Sequence, residues 1–168
     1  MNSRPLRART AGASATLNPW ISHGSVGIVS RTGAAAKVRS LLEDDGLFLL
    51  HTIGGNWATR HGDPWVIKYI FPNGMIPGPE NLSDAFSHYF TLEDWHNFGP
   101  DYDKTLMAWS ANFEAAWPDL KDKYGERFHR MWHYYLHLFA AQFRVRHTNL
   151  WQLVLSPKGV KGGYTSIR

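Results

Sequence analysis

The spacing of apolar positions changes several times along this chain, and each change predicts an element. Val38, Leu41 and Leu42 fall at i, i+3 and i+4, which predicts a helix over 34–44. Asp44–Asp45–Gly46 then turns the chain. Leu47 to Leu50 is an unbroken apolar run, with Gly46 before it and Gly54–Gly55 after it. A short apolar run between glycines suits a strand buried on both faces, as in a parallel sheet under helices. The helix, turn and strand make half of a βαβ repeat, although the pattern shows no strand before the helix. Asp63–Pro64 reads as an N-cap with proline at the first helical position. Trp65, Val66, Tyr69 and Ile70 follow on a short helix, and Phe71–Pro72–Asn73–Gly74 ends it in a turn. Pro77 and Pro79 punctuate a linker. A second short helix is expected over 81–88, and the partial alternation of Phe90 to Phe98 predicts a strand.

Gly99–Pro100–Asp101 opens a long helical half. Leu106, Trp109, Phe113 and Trp117 repeat every three or four residues, and Pro118 is expected to break this helix. The next helix carries Leu120, Tyr124, Phe128, Met131, Tyr135 and Leu138 on one stripe. Trp132, Leu136, Phe139 and Phe143 form another. A helix apolar around so much of its circumference is buried or lines an apolar cavity. Leu150 to Leu155 predicts a final strand, and a Gly-rich basic tail follows from Lys158. No internal repeat is visible.

Composition adds limits. The 168 residues suffice for one domain with a core, and eight Trp, nine Phe and seven Tyr make it rich in aromatics. With no cysteine, neither a disulfide framework nor a cysteine-based zinc site is available. The net charge of +4 favours anionic surfaces without choosing between lipid and nucleic acid. Nucleic-acid binding calls for clustered Lys and Arg among exposed aromatics. Here the aromatics fall on helical stripes, so no nucleic-acid partner is expected. Residues 1–36 differ from the rest: they are rich in Arg, Ser, Ala and Gly, and no acidic residue precedes Glu43. They lack the apolar stretch of a secretory signal and the amphipathic period of a transit peptide. A disordered tail, or sequence foreign to the domain that occupies 37–168, is expected there.

His51 and Thr52 sit at the carboxyl end of the Leu47–Leu50 run, where open α/β sheets place their ligands. The alternative is a histidine that caps the strand and bonds a neighbouring carbonyl. His129, His133 and His137 are spaced by four and share one helix face, a spacing that can hold zinc. Arg130 follows His129 where a metalloprotease helix has Glu, so a wet polar face is the better account and no metal is expected. Glu93, Asp94 and His96 bring acid and base groups together, but nothing fixes their geometry, and a solvated strand edge is the better account. No nucleophile elbow, phosphate loop or dinucleotide fingerprint is present.

Longer phrases are more specific. LLEDDGLFLLHTIG (41–54), DPWVIKYIFPNG (63–74), EDWHNFGPDYDKTLMAW (93–109), ERFHRMWHYYL (126–136) and LWQLVLS (150–156) resemble the C-terminal part of cyclopropane-fatty-acyl-phospholipid synthase. The resemblance covers nearly everything after residue 36. It implies an α/β chain, the C-terminal portion of a Rossmann-like class I methyltransferase with a large helical substrate-binding part. It implies transfer of a methylene from S-adenosylmethionine to the cis double bond of an unsaturated phospholipid acyl chain. It also implies a bound bicarbonate as the base that removes the proton before ring closure. Catalytic and bicarbonate-binding roles fall on His51 and Tyr102, with the backbone of Ile53 as a further bicarbonate contact. The implied place is cytoplasmic and peripheral, at the inner face of the membrane. The implied partners are an unsaturated phospholipid and a second copy or full-length relative.

The chain departs from the family in several respects, above all in its first 36 residues, which do not resemble the family where family sequence is expected. The family's S-adenosylmethionine unit, a strand, glycine loop and helix followed by an acidic residue, is missing, so no cofactor-binding residue is assigned. Phe139 stands where the family usually has a cysteine. A truncated gene product is expected, inactive alone or contributing half a site, with an open sheet edge and marginal stability.

Overall fold

A computed structural model describes residues 28–59, 62–72 and 74–166. Most of the 1–36 segment therefore lies outside the described residues. The elements run α1 (Ile28–Leu41), β1 (Phe48–Gly55), α2 (Pro64–Tyr69), α3 (Pro79–Phe86), β2 (Thr91–Asn97), α4 (Gly99–Arg144) and β3 (Thr148–Ser156). α1 begins at Ile28, earlier than its apolar spacing predicts.

The sheet has the order β1-β3-β2, and both outer strands run antiparallel to β3. This corrects the expectation of a central parallel strand at Leu47–Leu50. β3 is the central strand, with Leu153 and Leu155 fully buried, whereas Leu49 on β1 is 51% exposed. Strand direction is set by the partner, and a glycine-bounded apolar run carries no information about it. Residues alternate between faces. On one face Phe48, Leu50, Trp151, Leu153 and Leu155 pack with Ala35 and Val38 of α1 and Leu82 and Phe86 of α3. On the other, Ile53, Leu150 and Phe98 pack under α4 with Trp65 and Val66 of α2.

Asp63 caps α2 as expected: its Oδ1 accepts from Trp65 N at 2.9 Å and Val66 N at 3.0 Å. The turn predicted at 71–74 closes with Gly74 N donating to Phe71 O at 2.9 Å, although residue 73 lies outside the described residues. The long helix does not break at Pro118, which stays inside it. The chain reverses at Gly125, at φ 72° and ψ 163°, a backbone region essentially restricted to glycine. The two arms, 99–124 and 126–144, fold back on each other. Asp103 grips Arg144 through two bonds of 2.9 Å near their base, and Phe113 meets Phe128 nearer the turn. Among the described residues no helix is long and apolar enough to cross a membrane.

Candidate functional site

The site builds on the strand period. His51 and Ile53 are two residues apart on β1, so both face α4. Tyr102 lies in the first turn of α4 and packs against the same apolar cluster as Ile53. Its ring meets Phe143 at 5.0 Å and Trp109 at 5.8 Å between centroids. The fold therefore packs Ile53 and Tyr102 against one cluster, with His51 two residues from Ile53 on the same face of the sheet.

Backbone pairing exposes one further group. Leu150 O accepts from Phe98 N at 2.7 Å, so the polar backbone groups of Leu150 face the β2 side. Its partner across the other side, Ile53, then turns its N–H away from β3. Gly55, two residues on, follows the same rule, and its N–H reaches out to Pro77 O at 2.9 Å. Ile53 thus presents its N–H at the open edge of the sheet, where no other strand among the described residues pairs with β1.

Electrostatics set the protonation states. Burial pushes the His51 imidazole below its ordinary range, which favours the neutral ring. Burial pushes the Tyr102 hydroxyl up, so it remains a proton donor at neutral pH. Tyr135, buried beside Tyr102, is raised to about 12, first by burial and then by the neighbouring phenol.

A ladder of carboxamides crosses the end of the sheet, and nothing in the sequence points to it. Asn149 Nδ2 donates to Asn56 Oδ1 at 2.9 Å, and Asn97 Nδ2 donates to Asn149 Oδ1 at 2.9 Å. Asn97 Oδ1 then accepts from Gly99 N at 2.9 Å. Together these bonds tie the end of β1 to the start of α4, three residues before Tyr102. Residues 56, 97 and 149 are too far apart in the chain for any spacing to signal this.

The other candidates separate from this site. Glu93 is not a solvated edge residue: it accepts from Ser156 Oγ and from Val160 N, and so anchors the C-terminal tail. His129 and His133 share a face, as their spacing predicts, but both donate to Glu114 across the hairpin, at 2.9 and 2.8 Å. His137 Nδ1 donates to the carbonyl of His133. Among the described residues no three His, Asp or Glu side chains are grouped to hold a metal ion. The aromatic stripes build core only near the base of the hairpin, where Leu106, Tyr135, Leu136, Phe139 and Phe143 are buried, whereas Trp109 and Tyr124 on the same stripes are exposed. A cleft of about 190 Å³ opens past the end of β1, lined by Trp57, Val66, Ile67, Phe71 and Phe139 with Asn56 and Gln142. His51, Ile53 and Tyr102 do not line it.

Residues 25–153 match the family described as mycolic acid cyclopropane synthetase. The chain is 51% identical over 128 residues to cyclopropane-fatty-acyl-phospholipid synthase of Escherichia coli K12, covering 76% of this chain and 33% of that protein. It is 33% identical over 105 residues to tuberculostearic acid methyltransferase of Mycobacterium tuberculosis, covering 61% of this chain and 25% of that one. Among solved structures, mycolic acid cyclopropane synthase CmaA1 complexed with SAH and CTAB superposes with a TM-score of 0.69 at 25% identity, over 78% of this chain and 51% of that one. The chain thus spans about a third of the length of the Escherichia coli relative. Its sheet and helical hairpin form the C-terminal portion of a Rossmann-like class I methyltransferase fold, as the resemblance implies. The chain belongs to the mycolic acid cyclopropane synthetase family, of which it carries a C-terminal part.

Proposed function

We propose that this chain supplies the bicarbonate-holding, acyl-lipid half of an S-adenosylmethionine-dependent cyclopropane synthase that works on unsaturated phospholipid at the cytoplasmic face of a membrane. The observation that carries this reading is the packing of Ile53 and Tyr102 against one buried cluster, with His51 on the same sheet face as Ile53. Three donors suit a small anion: the imidazole N–H of His51, the backbone N–H of Ile53 and the hydroxyl of Tyr102. Bicarbonate held there supplies a base for the proton lost as the ring closes. The protein's part is to hold that base and keep water away with the buried Phe143 and the half-buried Phe98. The mild positive charge suits anionic lipid head groups.

The described residues do not fit the methyl donor. A nucleotide-type cradle needs glycines that leave room for a ligand beside a strand end and a helix N-terminus. Near the end of β1 the space is filled from within: a β-carbon on Gly54 would lie 2.0 Å from the Trp151 ring, and one on Gly55 3.1 Å from Trp57 O. We therefore assign no donor-binding residue.

Bicarbonate titration at fixed pH, followed by ¹⁵N signals of the imidazoles, tests the anion site. The expected result is a saturable shift at His51 that weakens in Tyr102→Phe. A folded wild-type chain whose His51 signals do not respond would overturn the reading.

A further inference from the structure

His51 on β1, Gln152 on β3 and His96 on β2 are register partners, and so form one row across the three strands. Within this row Gln152 Nε2 lies 3.1 Å from His51 Nδ1. The geometry points to Gln152 as a positioning residue that fixes the tautomer of His51. An amide nitrogen only donates, so Nδ1 must present its lone pair to it. A neutral imidazole has one lone pair and one N–H, and the proton is then left on Nε2. His51 becomes a hydrogen-bond donor on the ring nitrogen away from Gln152. That is the form that attracts an anion, whereas the other tautomer would turn a lone pair toward it.

This inference rests on the reading of His51 as an anion contact, and it adds the residue that makes His51 suitable. The burial of His51 acts in the same direction, because it disfavours the doubly protonated ring. The competing arrangement has the Gln152 amide turned over, with Oε1 accepting from Nδ1–H. Nε2 would then be bare and His51 would be a base.

Long-range ¹H–¹⁵N correlation of the imidazoles, on the full chain without bicarbonate at neutral pH, separates the two. The His51 signals are assigned by their loss in His51→Ala. In wild type the expected pattern is an acceptor-type Nδ1 and a protonated Nε2. Gln152→Glu keeps the side-chain shape but only accepts, and is expected to move the proton onto Nδ1. A wild-type proton on Nδ1 overturns the inference, and this holds even if the variant fails to fold. An unchanged His51 pattern in folded Gln152→Glu overturns it as well. A protonated Nε2 in a chain that ignores added bicarbonate upholds the role of Gln152 and removes the anion reading.

Discussion

The ring of Trp151 lies against the bare Cα of Gly54, so close that a β-carbon there would sit 2.0 Å from Cζ3 of the indole and 2.5 Å from Cη2. Trp151 is itself buried, and meets Trp95 edge-on at 5.2 Å. The glycine therefore serves the packing of β1 on β3. Gly54→Ala is expected to destabilise the fold by at least the ~1–3 kcal/mol typical of overpacking. Urea unfolding of the variant checks this, and Gly33→Ala, which has nothing within 4 Å of its added carbon, is the control.

Gly125 and Pro118 exchange the roles that helix propensity gives them. The reversal between the arms of α4 uses the positive φ of Gly125. Gly125→Ala meets no neighbouring atom, yet is expected to cost about 1–3 kcal/mol because the backbone position is strained for alanine. Pro118→Ala restores a helical N–H and is expected to raise the melting temperature. Thermal unfolding of both variants reads the two signs.

These examples show which features are legible in sequence. The Asp63 cap is legible because the side chain bonds its own next turn. The shared face of His51 and Ile53 follows from the two-residue period of a strand. The direction of β1 is not legible, because it depends on Leu150 and Gln152, about a hundred residues away. The same distance hides the amide of Gln152 from any reading of the HTIG stretch. Nothing around DYDKTL marks a site by itself, so Tyr102 enters only through the family resemblance. Pro118 misled because a proline is a local signal, whereas the contacts that set the hairpin, such as Asp103 with Arg144, are not.

The carboxamide ladder gives a prediction about the start of α4. Asn149 is buried, and its removal leaves Asn56 Oδ1 and Asn97 Nδ2 without their partner. Asn56 is exposed and Asn97 half-buried, so both can turn to water, and Asn149→Ala is expected to cost about 0.5–1.5 kcal/mol for each hydrogen bond lost. NMR signals of the Tyr102 ring are expected to shift in the same variant. An unmoved Tyr102 would show that the ladder does not position α4.

Stability should also fall at high pH. The folded-state pKa of Tyr135 is raised from 10.0 to about 12, so the folded chain keeps a proton that the unfolded chain has lost. Its contribution is complete below pH 10 and disappears as pH rises toward about 12. Tyr135→Phe is expected to flatten the fall in melting temperature over that window. At the acid end Glu114 works with the opposite sign: its hydrogen bonds to His133 and His129 hold its carboxyl below the usual range. That contribution is present at neutral pH and is lost as pH falls through the carboxylate range. Glu114→Gln is expected to reduce the acid sensitivity measured by the same melts.

Calorimetric titration of S-adenosylmethionine into the purified chain, in a sample shown to be folded by circular dichroism, tests most directly whether the chain carries the anion and acyl side of the reaction without a donor cradle. The expected result is no saturable heat, alongside a His51 that responds to bicarbonate. Saturable one-to-one binding of the donor would contradict this division of the site.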